Sequence, residues 1–543
     1  MSEDKSFWNL FCEPEEDRPA EPNSSEPSSF WNLFCKETVA EASVEEEPSL
    51  CATTFNPEEI FWAMRNLPVE EAMKHFMVCG TTGSGKTIAI QLWLQSIAPR
   101  FRIGSPAPEQ LIIFDAKCDA VPTLAALGLR PEDENVSILN PFDARSAVWN
   151  LSEAVQTPAM ARALATLMVP EEKNSTAPYF SNAARELVYD VLLALNHVAG
   201  TNWTFRDLLC ALESREHIAA ITERLPRAGV LAARILDDKQ HSPGVLSTLA
   251  TKLGPFEQVA ALWDTCKSGR KFSIPDFLSR PGVLILGNDP VLRESFWPIN
   301  AMLLKALSNE ILRRPNTRQP RHWFVLDEFR AMERVDCIHD LLNRGRSKGA
   351  AVLLGIQSVE GLLEVYGENG ANDILSQCAN KMFLRAGGPK TAEWIERFFN
   401  RVRQTESAVS ISDGDNGRST TTQYSIHERS LFMASFFLDI PFPGRGRPYV
   451  AVCDVPILGE SLIVRRRSDE VFSWLRQPGD NVSGVDQRTD TSEQALVPWD
   501  PDEERRFCGE SFGENSGESK PPAPDSKSPD DNDSWRMQIQ LGP

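Results

Sequence analysis

The chain has 543 residues and a formal net charge of −20, which suggests about three or four domain-sized units. Residues 1–60 carry 15 acidic and 3 basic residues and residues 477–543 carry 15 and 6, so 61–476 is left with a net charge of +1; a core that binds nucleic acid through a local basic face is therefore not excluded. Eleven scattered cysteines without a C-x-x-C pair or a Cys/His cluster exclude a disulfide framework and a zinc site, and the reading expects no signal peptide, no membrane-crossing helix and a cytoplasmic location.

In chain order, residues 1–50 are rich in Glu, Pro and Ser and read as a disordered acidic tail. Within it Ser6-Phe7-Trp8-Asn9-Leu10-Phe11-Cys12 recurs letter for letter as Ser29-Phe30-Trp31-Asn32-Leu33-Phe34-Cys35. Two aromatic anchors on one flexible leash form a bivalent docking element for a protein partner. The contacts would come from Phe7, Trp8, Phe11, Phe30, Trp31 and Phe34.

Residues 51–150 read as the first part of an α/β domain. His75 to Cys79 is a buried strand. Gly80, Thr81, Thr82, Gly83, Ser84, Gly85, Lys86 and Thr87 follow it, and then an apolar helix. This is G-x-x-x-x-G-K-T between a strand and a helix, the context in which the motif holds phosphates. The glycines let backbone amides close around an anion, Lys86 pairs with the β/γ-phosphates of ATP, and the Thr87 hydroxyl ligates Mg²⁺. Leu111–Asp115 and Val136–Leu139 are further strands.

From 151 to 275 the period changes to that of helices: Pro158–Met168, Tyr179–His197, Phe205–Glu213, Glu216–Leu225 and most of Pro226–Asp264. This predicts an all-α insert. Residues 276–476 return to the α/β pattern, with strands at Val283–Leu286, His322–Leu326, Ala351–Ile356 and Lys381–Arg385, a polar hairpin over 401–429, and a last strand at Tyr449–Val455. Strands alternating with helices predict a parallel sheet covered on both faces. Residues 477–543 read as a second disordered acidic tail, with Trp535 to Leu541 as a less polar docking segment.

Asp327 and Glu328 end the His322–Leu326 strand. Asp327 suits a metal-positioning acid and Glu328 the base that polarises water. Gln357, at the end of the next strand, suits a γ-phosphate sensor. Arg344-Gly345-Arg346-Ser347-Lys348-Gly349 lies between these strands, and either Arg346 or Arg385 suits an arginine finger reaching a neighbouring subunit; the sequence does not choose between them.

These segments together resemble the TraG/TraD-type coupling ATPases of conjugative and type IV secretion systems, relatives of FtsK-type DNA translocases. The resemblance runs from about 70 to 456. It rests on the GTTGSGKT loop, LIIFDAK (Leu111–Lys117), LNPFDARSAVWNL (Leu139–Leu151), PYFSNAARELV (Pro178–Val188), WFVLDEF (Trp323–Phe329), NRGRSKGAAVLLGIQS (Asn343–Ser358) and the runs Tyr366–Arg385 and Thr391–Glu393. It implies a RecA-like P-loop ATPase domain with an inserted all-α domain, assembling as a homo-hexamer around DNA. Such a motor receives relaxase-bound single-stranded DNA and feeds it, with protein substrates, to a secretion channel. Residues from about 320 to 456 resemble the part that recognises TraM-type accessory proteins. Typical members carry N-terminal transmembrane helices, and this sequence shows none. The expectation is tethering to the membrane by a partner, for which the SFWNLFC pair is the candidate. A motor on DNA without a secretion role and a nucleotide-gated scaffold are the alternatives.

Overall fold

Short apolar runs bounded by turn residues cannot complete an amphipathic helix, and in this chain they become strands. The computed structural model describes residues 56–510 and 512, apart from 106, 171–177, 226–228, 267–268, 289–292, 333, 400, 415–416, 460, 478–481 and 489–494. Both SFWNLFC copies and Trp535 to Leu541 lie outside the described residues.

A hairpin of β1 (Glu59–Trp62) and β2 (Arg65–Pro68) precedes β3 (Phe76–Cys79). Then come β4 (Gln110–Asp115), β5 (Val136–Leu139), β6 (Val148–Trp149), β7 (Lys271–Phe272), β8 (Gly282–Gly287), β9 (His322–Leu326), β10 (Ala350–Ile356) and β11 (Asn380–Phe383). A long ribbon of β12 (Arg401–Gly414) and β13 (Gly417–Ser430) is followed by β14 (Pro448–Asp454) and β15 (Ser461–Arg467). Nine strands form one sheet in the order β15-β14-β11-β3-β10-β9-β4-β8-β5. The seven from β11 to β5 are parallel, and β14 and β15 add an antiparallel edge. Strands β3, β4 and β8 to β11 are buried at every position. Burial on both faces is why they read as unbroken apolar runs rather than as alternation.

An aromatic column fixes the helix Lys86–Ile97 to this sheet. Trp62 packs on Phe76 (4.8 Å between ring centroids), Phe76 on Trp93 (5.5 Å), and Trp93 on Trp323 of β9 (5.6 Å). Each such ring contributes about 1.5–3 kcal/mol by burial. The Trp323 indole donates to Glu109 at 2.8 Å. Between β6 and β7, helices fill the chain, among them Pro158–Met168, Pro178–Ala199, Phe205–Glu213, Arg215–Glu223, Gly229–Asp237 and Ser242–Asp264.

Beside the short strand β7, which pairs with β6 inside the stretch 151–275 expected to be all-α, the structure departs from the sequence reading in four places. His75 does not begin the strand: its φ is 59° and its buried ring bridges Leu342 O (2.9 Å) and the Val352 amide (3.2 Å). The hairpin β1–β2 was not expected; its turn at Ala63-Met64 uses positive φ without glycine, so it carries no composition signal. Tyr449–Val455 is not the last strand, because β15 pairs beyond it from Pro448↔Arg467 to Asp454↔Ser461. Its arginines suggest a loop, but they lie on a sheet edge, where charge is tolerated and discourages further pairing.

The fourth departure is the C-terminal segment, expected to be disordered from 477. Part of it is a strap over the helical insert. The amide of Ala144 donates to Asp486 O (2.8 Å), and Arg488 donates to Leu262 O (2.7 Å). Arg206 of the insert forks onto both Glu503 carboxylate oxygens at 2.9 Å and also donates to Val497 O and Pro498 O at 2.7 Å. The helix Pro501–Cys508 starts with a capping box of Asp500 and Glu503. Buried Trp499 stacks on Phe507 and donates to Asp207 at 2.9 Å. The average acidity of the segment hid these anchors.

Candidate functional site

The loop Gly80–Thr87 leaves the C-terminal end of β3, between β11 and β10. It is stitched to both: Gly80 N donates to Ile356 O (3.1 Å) and Thr81 N to Arg385 O (2.8 Å). Glycine is required at two positions. A Cβ on Gly80 would stand 2.5 Å from Ser84 Oγ. Gly85, the N-cap of the following helix, has φ 102° and Tyr449 against it. Thr82 and Gly83 form the exposed tip. Buried Lys86 donates to the loop's own carbonyls, Gly80 O at 2.6 Å and Thr81 O at 3.3 Å. Burial lowers its pKa, an effect that nearby Glu328 and Asp327 oppose.

Strand β10, beside β3, and β9, beside β10, end at the same edge. Asp327 and Glu328 follow β9, and Gln357 follows β10. Gln357 Nε2 donates to Glu328 Oε2 at 2.6 Å. Asp327 Oδ2 accepts from Lys117 at 2.6 Å, while its Oδ1 is buried without a partner. Thr87, Asp115, Lys117, Asp119 and Asp327 line one crevice. The Asp327 backbone passes directly over Gly355 of β10, where a Cβ would lie 2.0 Å from its carbonyl oxygen. A glycine in the strand next door is thus what lets the acidic pair reach the loop.

Burial, helped by Asp119, pushes the Asp115 carboxyl up to about 7, although it accepts from the amides of Asp119 (3.0 Å) and Ala120 (3.1 Å). Sequence reasoning gave neither Asp115 nor Lys117 a role. The LIIFDAK run contains both, and two charges ending a buried strand that neighbours β9 were the available signal.

The two finger candidates separate. Arg385 sits beside its own loop, with Nη1 donating to Ile440 O (2.8 Å) and its guanidinium 4.8 Å from the Phe442 ring. Arg346 is exposed, in the turn Gly345–Lys348 before β10. A seven-residue strand lies between it and Gln357, so it stands about 20 Å away at the other edge of the sheet.

The residues at the edge fit a magnesium nucleotide. Asp327 Oδ1 and Ser84 Oγ are buried polar atoms without partners, and a loop with positive φ at Gly83 and Gly85 aims amides outward at a helix N-terminus. Among the described residues no group of three or more His, Cys, Asp or Glu is placed to hold a metal. Mg²⁺ takes one or two protein ligands with phosphate oxygens and water rather than a protein cage, a demand that the Thr87 hydroxyl and the Asp327 carboxylate in the crevice can meet.

Sheet order, loop and acidic pair define a P-loop nucleotide-binding protein of the RecA-like class. Residues 62–444 match the model of the type IV secretion-system coupling protein DNA-binding domain, and the chain belongs to that family. It is 22% identical over 340 residues to coupling protein TraD of Escherichia coli K12, covering 61% of this chain and 44% of that protein. It is 22% identical over 352 residues to the type IV secretion system-coupling protein VirD4 of Bartonella quintana, covering 60% and 54%. The chain thus spans about half the length of these relatives. Among solved structures it resembles the bacterial conjugative coupling protein TrwBdeltaN70 in its unbound form, with a TM-score of 0.61 at 18% identity over 81% of this chain and 93% of that one. It also resembles TrwB in complex with ADP and Mg²⁺, with a TM-score of 0.57 at 19% identity over 80% and 92%.

Proposed function

We propose that this protein is an ATP-hydrolysing DNA translocase that couples relaxase-bound single-stranded DNA, with protein substrates, to a conjugative type IV secretion apparatus. What carries the reading is the convergence of Lys86, Thr87, Asp327, Glu328 and Gln357 from three adjacent strands onto one sheet edge, in a chain of the coupling-protein family.

The loop amides and Lys86 bind the phosphates. Thr87 and Asp327 would hold Mg²⁺, which would supply positive charge to offset that of the phosphates. Glu328 orients and deprotonates the attacking water, and Gln357, bonded to it, reports the γ-phosphate to the helix Val359–Gln377. The protein works as a homo-hexamer. Arg346, remote from its own loop, is the finger for a neighbour, and Arg385 serves its own loop as a positioning group. No described helix is long and apolar enough to cross a membrane. Attachment to the cytoplasmic face runs through a partner that takes Phe7, Trp8, Phe11, Phe30, Trp31 and Phe34; unchanged membrane recovery after deleting both motifs would refute that part.

The test is ATP turnover by the full chain with and without single-stranded DNA at low and moderate salt. Stimulation that weakens with salt and disappears in Glu328→Gln supports the reading. Turnover indifferent to DNA under all conditions contradicts it.

A further inference from the structure

Lys117 lines the crevice, and the reaction as described gives it no task. Lys117 enters from β4, two residues beyond Asp115, in the turn before the helix Ala120–Ala126. Its backbone is anchored, because the buried Asp115 carboxylate gathers the amides of this turn. Its side chain is 39% exposed, on a flexible four-carbon stem, and is held only at its tip, by Asp327. Burial works against the Lys117 charge, but Asp327, 2.6 Å away, and Asp119 and Glu328 nearby outweigh it and raise its pKa. The ammonium is close enough to Lys86 to be felt there as a second positive charge.

The ion pair occupies the carboxylate to which the proposed function assigns the metal. If Asp327 is to share Mg²⁺ with Thr87, its Oδ2 cannot keep a bonded ammonium without cation–cation repulsion at close range. A γ-phosphate beside the same crevice offers the ammonium a new and more strongly charged acceptor. A diphosphate does not. We propose that Lys117 is the residue by which this site tells ATP from ADP: it caps Asp327 when no γ-phosphate is present and turns to the γ-phosphate when one arrives. The inference rests on the metal-binding reading of Asp327 given above. It gives the Leu111–Lys117 segment a task, since motion of Lys117 couples the nucleotide state to β4 and the helix after it.

The test uses the full chain in a Glu328→Gln background, so that nucleotide is not consumed, and reads equilibrium binding of fluorescent ATP and ADP with and without Mg²⁺. Lys117→Met keeps the stem and removes the charge. It is expected to weaken Mg²⁺·ATP about tenfold or more while leaving Mg²⁺·ADP unchanged or tighter, which collapses the preference for triphosphate. Lys117→Arg, which keeps a charge, is expected to restore part of that preference; a structural role in packing would not separate the two variants in this way. A Lys117→Met protein with a parental melting temperature and an unaltered ATP-to-ADP ratio would overturn the inference. So would a parent that binds both nucleotides equally. A parent that binds neither, with or without Mg²⁺, would instead sink the phosphate-loop reading on which this one depends.

Discussion

Adding one methyl group, in Gly355→Ala, tests how the acidic pair is positioned. Gly355 lies inside β10, hydrogen-bonded to β3 with β9 on its other side, and takes ordinary strand geometry. On an isolated strand the change would be harmless. Here the new Cβ would lie 2.0 Å from Asp327 O, 2.8 Å from its carbonyl carbon and 2.9 Å from its Cα. A tolerable contact begins above 3 Å, so the Asp327–Glu328 corner must retreat by about 1 Å, enough to cost about 100-fold in rate when reacting groups are misplaced. Overpacking should also lower stability by about 1–3 kcal/mol. The phosphate loop is held by other contacts, to Ile356 O and Arg385 O, so nucleotide affinity in the absence of Mg²⁺ should change little. The assay is steady-state ATP turnover beside fluorescent-nucleotide binding and a thermal melt. A folded variant that hydrolyses ATP within about threefold of wild type would refute the positioning argument.

Gln357→Ala frees Glu328 of its 2.6 Å partner and should slow turnover about 10–100-fold with ATP binding intact; wild-type turnover would remove Gln357 from the site. Arg206→Ala breaks the fork to Glu503 and the bonds to Val497 O and Pro498 O. It should destabilise the strap by about 2 kcal/mol, seen as faster proteolysis between 495 and 508, and unchanged resistance would contradict the strap's role. Asp115 ionises near 4 when unfolded but, through burial, only near 7 when folded. Between those values the folded state holds the extra proton, so this group makes stability fall as pH rises. Asp115→Asn should remove that slope and gain up to about 4 kcal/mol relative to wild type between about pH 4 and pH 8, beyond any constant loss from the weaker cap. Melting curves of the two proteins that stay parallel across that range would refute it.

The sequence made the central sheet readable because its strands are buried on both faces, so Leu111–Asp115, His322–Leu326 and Ala351–Ile356 appear as apolar runs ending in chemistry. The loop residues were readable because the glycines that an anion cradle needs have no other common use in that spacing. Strand β15, the β1–β2 hairpin and the C-terminal strap were not. The arginines of β15 and the glycine-free turn of β1–β2 carry no strand signal, and the strap's Trp499, Phe507 and capping box are diluted by acidic neighbours. Within the site, Lys117 and Asp327 are far apart in sequence, and only the β4–β9 pairing brings them together. The separation of Arg346 from Arg385 likewise needed the direction of β10 and β11, since both arginines simply adjoin a strand when read along the chain.

The most direct test of the account is translocation itself: ATP-driven displacement of streptavidin from end-biotinylated single-stranded DNA by the full chain. The account predicts displacement that requires Mg²⁺ and ATP, is lost in Glu328→Gln, and weakens as salt rises. A protein that hydrolyses ATP yet neither displaces streptavidin nor responds to DNA would contradict a DNA motor and point to a nucleotide-gated scaffold.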